Sequence, residues 1–246
     1  MDLLQAIKER HSVRSYTDRK IEGETLDALR AKIKETNEES GLNMQLVLDE
    51  EKAFGGRMAH YGHFENVKNY IAVIGEKGAD LSEKAGYYGE KVVLYAQTLG
   101  LNTCWVALTY GKVKDAYLVG KGEKLLLVIA IGYGATQGTA HKSKPIKSVI
   151  KTDTEPPAEF IDGVNAALLA PTAMNQQKFT FTLKDGKVGV KAGAGFYTKV
   201  DAGIAEYHFE LGSGYAFRMP DNNKANSGPV CQPRIKRTVV CRRIFD

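Results

Sequence analysis

The sequence is short of several things. Its longest unbroken apolar run is Leu125–Ile131, far below the ~18–20 residues a helix needs to cross a bilayer. No charged-then-apolar leader opens it, so we expect a protein of the reducing cytoplasm with no membrane partner. Three cysteines, Cys104, Cys231 and Cys241, are too few and too scattered for a disulfide framework or a zinc site. No Gly-x-Gly-x-x-Gly follows a strand pattern, so a separate dinucleotide-binding unit is not expected. Net positive charge is concentrated at one end. The net charge is +5, but residues 219–246 alone hold six Lys/Arg and two acids. The body is close to neutral, which argues against a nucleic-acid partner.

What is present is a regular alternation of helix and strand signals. Residues 2–9 read as a helix with Leu3, Leu4 and Ile7 on one face, and residues 22–34 as a second with Leu26, Leu29 and Ile33 as its stripe. "MQLVLDE" and "YIAVIGE" read as strands, separated by a glycine-rich loop with a helical turn. Residues 82–99 form a buried helix, with Ser82 as N-cap and Gly100 as its stop. "NTCWVAL" is extended, and "KLLLVIAIGYG" is a strand covered on both faces. Pro156 and Pro157 divide the chain. Beyond them come a helix over 158–169, the loop "APTAMNQQ", and strands "KFTFTLK" and "KVGVKAG" joined by Asp185–Gly186, a hairpin signal. A last helix, "DAGIAEYHFELGSG", faintly echoes "AGYYGEKVVLYAQTLGL". This gives a first half over 1–153, a second over 154–218, and an unassigned basic tail over 219–246.

Three stretches carry chemistry. "ERHSVRSY" packs Arg10, His11, Ser12, Arg14 and Ser15 into one short segment. A phosphate monoester offers only acceptors, and arginine answers with forked donors that do not titrate away. In an extended chain Arg10, Ser12 and Arg14 point one way, and His11 and Val13 the other. Read alone, the stretch also fits a helix end with cations at its negative pole. "LLAPTAMNQQKFTF" offers Thr172, Asn175, Gln176 and Gln177, whose amides can both donate and accept, as the edge of a flavin or nucleobase requires; a capped loop is the alternative. "GTAHKSKPI" places Lys142 and Lys144 on one side of an extended segment, either as a second half-site for an anion or as solvated loop lysines.

Together these stretches resemble the FMN-dependent nitroreductase family. Arg10-His11-Ser12 after the first helix is similar to its phosphate- and ribityl-binding opening. "APTAMNQQKF" resembles its A-P-S-x-x-N-x-Q-P-W element, with Thr172 in place of Ser and Lys178-Phe179 in place of Pro-Trp. "GLNTCWVAL" resembles the segment beneath the flavin ring, and "LLLVIAIGYGA" with "HKSKPI" the last core strand and phosphate clamp. The resemblance covers roughly residues 1–215. In ordinary members the A-P-S element follows soon after the opening helices; here it stands at 170–179. The order resembles that of a single-chain pseudo-dimer, in which one half supplies Arg10-His11-Ser12 and Lys142/Lys144, and the other Thr172 and Asn175.

The resemblance implies an α+β, three-layer α/β/α sandwich with a mixed, mostly antiparallel sheet. It implies FMN as cofactor, NADH or NADPH as co-substrate, and a small electron-poor acceptor such as a nitroaromatic or quinone. The implied cofactor-binding residues are Arg10, His11, Ser12, Arg14, Trp105, Val106, Ala107, Lys142, Lys144, Pro171, Thr172, Ala173 and Asn175, with no metal and no side chain acting as catalyst apart from the flavin. A monomer is compatible with the fused arrangement, as is self-association. Two other readings stand beside this one: an FMN-binding protein that stores or senses flavin, and a module that binds an acidic partner through its basic tail.

Overall fold

The computed structural model describes residues 1–218 and 230–233. Helix α1 (Leu3–Glu9) is capped by the Asp2 carboxylate, which accepts from the Gln5 amide. Ala6 and Ile7 are its buried positions, while Leu4, expected inward, is exposed. Helix α2 (Gly23–Ser40) runs one and a half turns beyond the expected stop and ends at Gly41, whose left-handed φ of 69° closes it. Strand β1 (Gln45–Val47) leads through the short helix α3 (Arg57–Tyr61) to β2 (Tyr70–Glu76). Helix α4 (Leu81–Thr98) follows, then β3 (Asn102–Val106) and β4 (Glu123–Gly132). The residue before α4 is Asp80; Ser82, the expected cap, lies inside the first turn.

After β5 (Ile150–Thr152) come α5 (Ala158–Ala167), β6 (Phe179–Lys184), β7 (Lys187–Ala192), α6 (Thr198–Ser213), β8 (Tyr215–Arg218) and β9 (Val230–Pro233). The β6–β7 hairpin turns at Asp185 and Gly186, with φ of 49° and 69°. Two successive left-handed residues make the tight turn whose twist matches the strands. Of the tail over 219–246, only β9 falls within the described residues.

Two sheets form. The first has the order β1-β2-β4-β3 and the second β5-β6-β7-β9-β8. Every pairing is antiparallel except β5 with β6, so the architecture is the mixed, mostly antiparallel α+β type that the resemblance implied. With β5 set aside, the second order repeats the first. In both halves a long helix joins the second strand to the third: α4 after β2, α6 after β7.

Helices α4 and α6 pack on each other between the sheets. Their crossing is reciprocal. A Cβ on Gly86 would overlap the Val200 carbonyl oxygen, and one on Gly203 would overlap the Glu83 carbonyl oxygen. Each glycine thus meets the residue three before the other. The faint sequence echo between "AG" at 85–86 and "AG" at 202–203 is this contact.

The apolar pattern of β4 is explained by burial on both faces. Leu127, Ile129 and Ile131 face the helix layer, and Val128 and Ala130 face a smaller core roofed by Phe54, Ala59 and Phe64. The layers therefore run from the 53–67 segment with α3, through the first sheet and the helices, to the second sheet.

Candidate functional site

Arg10 follows α1, and the chain then runs extended beside β3. Ser12 bridges Thr103, and the Val13 amide donates to the Thr103 carbonyl at 3.0 Å. Strict alternation does not hold here. Val13 alone turns into the core, while Arg10, His11, Ser12 and Arg14 all line one cavity of 330 Å³. Gly138, Thr139, His141, Pro171, Thr172, Met174 and Asn175 complete its wall. An adjoining slot of 70 Å³ shares Ser12, Pro171 and Thr172 with it, and is lined further by Trp105, Val106, Ala107, Leu127, Ala173, Tyr197, Val200, Asp201 and Ile204. The two compartments form one site at the meeting of the halves, polar at one end and mainly apolar at the other.

Lys142 and Lys144 line neither compartment. Lys144 Nζ donates to the carbonyls of Gln176 at 2.7 Å and Gln177 at 3.2 Å, and the Lys142 carbonyl accepts from Asn175 and Gln177. Lys144 thus braces the loop after Thr172 with its ammonium, and Lys142 does so with its backbone carbonyl. The amides expected to face a ring edge are likewise used within that loop. Gln177 Nε2 donates to Asn175 Oδ1 at 2.7 Å, and Gln176 Nε2 to Asp201 Oδ2 at 2.9 Å.

These bonds have a physical task. Met174, Asn175 and Gln177 adopt φ of 51°, 52° and 42°, conformations that side-chain-bearing residues hold only when the surroundings over-determine them. Asp201 is the main tie, since its Oδ1 also accepts from the Ala173 amide at 3.0 Å. Burial pushes its carboxyl up to about 6 against these two stabilising bonds. The folded protein thus binds a proton at Asp201 more tightly than the unfolded chain does. Stability gained from the protonated form is present below about pH 4 and is lost as pH rises to about 6, a change of about 2–3 kcal/mol. In urea titrations between pH 4 and 7, Asp201→Asn flattens this part of the profile; an unaltered slope excludes Asp201 as its source.

The cationic end is arranged differently from a surface phosphate clamp. Arg10 is 2% exposed, and burial lowers its proton affinity against the raising effect of Glu90. Its Nε stands 3.8 Å from Glu90 Oε1, beyond hydrogen-bond range, and Nε and Nη1 have no hydrogen-bond partner among the described residues. His11 is held below its usual proton affinity by partial burial, then by Arg10 and His141. A buried guanidinium with orphaned donors, beside two imidazoles and Ser12, fits the phosphate and ribityl end of FMN. The slot between Trp105–Ala107 and Thr172–Ala173 suits a flat ring.

Several lining residues carried no signal in the sequence. His141 precedes the lysine pair of "HKSKPI" as a lone histidine, a residue type with many uses on a loop. Tyr197, Val200, Asp201 and Ile204 lie in the loop-to-helix turn and first turns of α6, where they read as ordinary amphipathic positions.

A two-sheet α+β body with a cleft of this character defines a class. The family described as "Putative TM nitroreductase" matches residues 2–213, and the chain belongs to this nitroreductase family. Among solved structures, a "putative nitroreductase" from Thermotoga maritima is 23% identical, with a TM-score of 0.63 over 94% of this chain and 93% of its own. That likeness extends the shared fold over nearly the whole molecule. A "putative nitroreductase" solved in complex with FMN from Desulfovibrio desulfuricans is 20% identical, with a TM-score of 0.49 over 63% of this chain and 98% of its own. An FMN-dependent nitroreductase from Clostridium difficile is 21% identical, with a TM-score of 0.45 over 56% of this chain and 90% of its own. Among curated proteins, none matches the chain in sequence.

Proposed function

We propose that the chain is an FMN-dependent oxidoreductase that carries electrons from NADH or NADPH to a small electron-poor acceptor such as a nitroaromatic or quinone. The observation that carries this reading is the buried Arg10, with unpartnered donors, at one end of a cleft whose other end is a narrow, mainly apolar slot. Bound FMN supplies the hydride acceptance and electron delivery. Arg10 and Ser12 hold the phosphate and ribityl end, with His11 and His141 as further donors. Val106, Ala107, Thr172 and Ala173 would line the flat ring and exclude water from it. Tyr197 and Asp201 border the space into which a nicotinamide or an acceptor would enter in turn.

Fusion of the two halves is part of the proposal. Ser12 and Trp105 come from the first half and Thr172 and Ala173 from the second, so one chain assembles one site and binds one FMN. A monomeric pseudo-dimer in the cytoplasm follows from this reading. No helix among the described residues is long and apolar enough to cross a membrane.

The test is a visible spectrum followed by anaerobic addition of NADH or NADPH. The expected result is a yellow protein with one FMN per chain that bleaches with reductant and recovers its colour with a quinone. A yellow protein that does not bleach favours storage or sensing. A colourless protein that takes up no FMN rejects the proposal, and two equivalent flavins per chain reject the single fused site.

A further inference from the structure

Arg10 and Glu90 are both buried and close, an arrangement that ordinarily closes into an ion pair with nothing left for a ligand. The surroundings of Glu90 point elsewhere. Its carboxylate has two hydrogen-bond partners of its own. Trp105 Nε1 lies 2.9 Å from Oε2, and His208 Nε2 lies 2.9 Å from Oε1, the same oxygen that stands 3.8 Å from Arg10 Nε. The other ring nitrogen of His208, Nδ1, is 3.1 Å from the Ala166 carbonyl oxygen. A carbonyl oxygen only accepts, so Nδ1 carries a proton.

Two placements of the remaining proton satisfy this geometry. Either Nε2 donates to the Glu90 carboxylate, or a protonated Glu90 donates to Nε2. A bare lone pair facing a carboxylate at 2.9 Å, with both groups 0% exposed, would be repulsive with no water to screen it. In either placement the His208–Glu90 pair is neutral as a unit.

We infer that His208 takes up the charge of Glu90 and thereby leaves Arg10 as an uncompensated buried cation that holds a phosphate-type anion in the larger cavity. His208 is a positioning residue for that anion, acting through Glu90. This accounts for the gap between Arg10 and Glu90. The other groups on the wall agree, since no carboxylate lines this cavity among the described residues. The identity of the anion as the phosphate of FMN rests on the function proposed above; the charge balance does not.

The test compares dissociation constants for FMN and riboflavin, whose ratio reports the phosphate alone. In His208→Gln, the amide can still donate to Glu90 but cannot take its charge. The preference for FMN is expected to fall at least tenfold, and the double variant with Glu90→Gln to restore it, because Arg10 is again the only charge. An unchanged preference in His208→Gln overturns the inference while leaving the flavin reading intact. Should that variant lack a folded near-ultraviolet circular dichroism spectrum, Glu90→Gln alone decides. It is expected to keep the FMN preference while moving the indole N–H resonance of Trp105, the sole tryptophan; a tenfold loss of preference counts against the inference.

If the wild type takes up neither flavin, the apoprotein is titrated with inorganic phosphate and followed through the same indole resonance. A phosphate-dependent shift in the wild type that is lost in His208→Gln rejects the flavin reading and keeps this one. No shift in the wild type overturns it.

Discussion

Arg10→Ala lowers FMN affinity by about a hundredfold to a thousandfold and leaves the fold intact. The magnitude follows from the donors removed. Hydrogen bonds to charged groups contribute about 1.5–3 kcal/mol each, and two at the lower end of that range, lost from a fork to phosphate, amount to about 3–4 kcal/mol, at tenfold per 1.4 kcal/mol. The fold survives because the variant leaves behind a Glu90–His208 pair that is neutral on its own, rather than a stranded charge. Arg10→Lys recovers only part of the affinity, since an ammonium is a point charge without the planar fork. Fluorescence titration of FMN measures the loss, and near-ultraviolet circular dichroism checks the fold. Undiminished affinity in Arg10→Ala would mean that the cation serves the core and not a ligand.

The second large effect is expected far from any chemistry. Gly203→Ala lowers stability by about 3 kcal/mol or more, and Gly86→Ala does the same. At an exposed helical site, alanine is the better residue by about 1 kcal/mol. Here the sign reverses, because the added Cβ meets backbone on the facing helix: the Glu83 carbonyl oxygen for Gly203 and the Val200 carbonyl oxygen for Gly86. Neither obstacle can rotate away, so the helices must separate along a buried seam that joins the two halves. Overpacking costs ~1–3 kcal/mol where side chains can yield, and backbone yields less. For a chain of this size each kcal/mol shifts the melting temperature by about 2–4 °C, so a drop of about 6–12 °C is expected. A melting temperature equal to the wild type's would show that α4 and α6 do not cross at these glycines. Equal losses in the two variants would express the reciprocity of the contact.

Much of this could be seen in the sequence because it was local. The β6–β7 turn was written in Asp185–Gly186, β2 in an unbroken "YIAVIGE", and the stop of α4 in Gly100, each by residues that act on their own backbone. The opening of the site was legible for the same reason: Arg10 to Arg14 are consecutive and their chemistry is uncommon. The rest depended on neighbours distant in the chain. Glu90 and His208 sit in helices rich in apolar residues and become partners only when α4 and α6 cross. Nothing in "GEKVV" or "EYHFE" announces a buried carboxylate facing an imidazole. Asp201 reads as an early acidic residue of a helix, yet its role is to hold the loop at Ala173 and Gln176. Alternation failed at His11 because the segment bends as it pairs with Thr103, Glu65 and Gly134 in turn. The lysines were ambiguous in the sequence because a cation on a loop has two uses, binding an anion or closing off backbone carbonyls, and Lys144 performs the second.

Strand β5 precedes Pro156–Pro157 in the chain but lies in the second sheet, parallel to β6, with Ile150 opposite Phe181 and Thr152 opposite Leu183. The covalent boundary and the spatial one therefore do not coincide: the first half ends inside the second like a clasp. A hinge at residues 153–157 cannot open the cleft without peeling this strand away, so the distance between Ser12 and Thr172 is set by the sheet rather than by the linker. The two walls of the cleft are thus fixed to each other by a strand that the first half lends to the second.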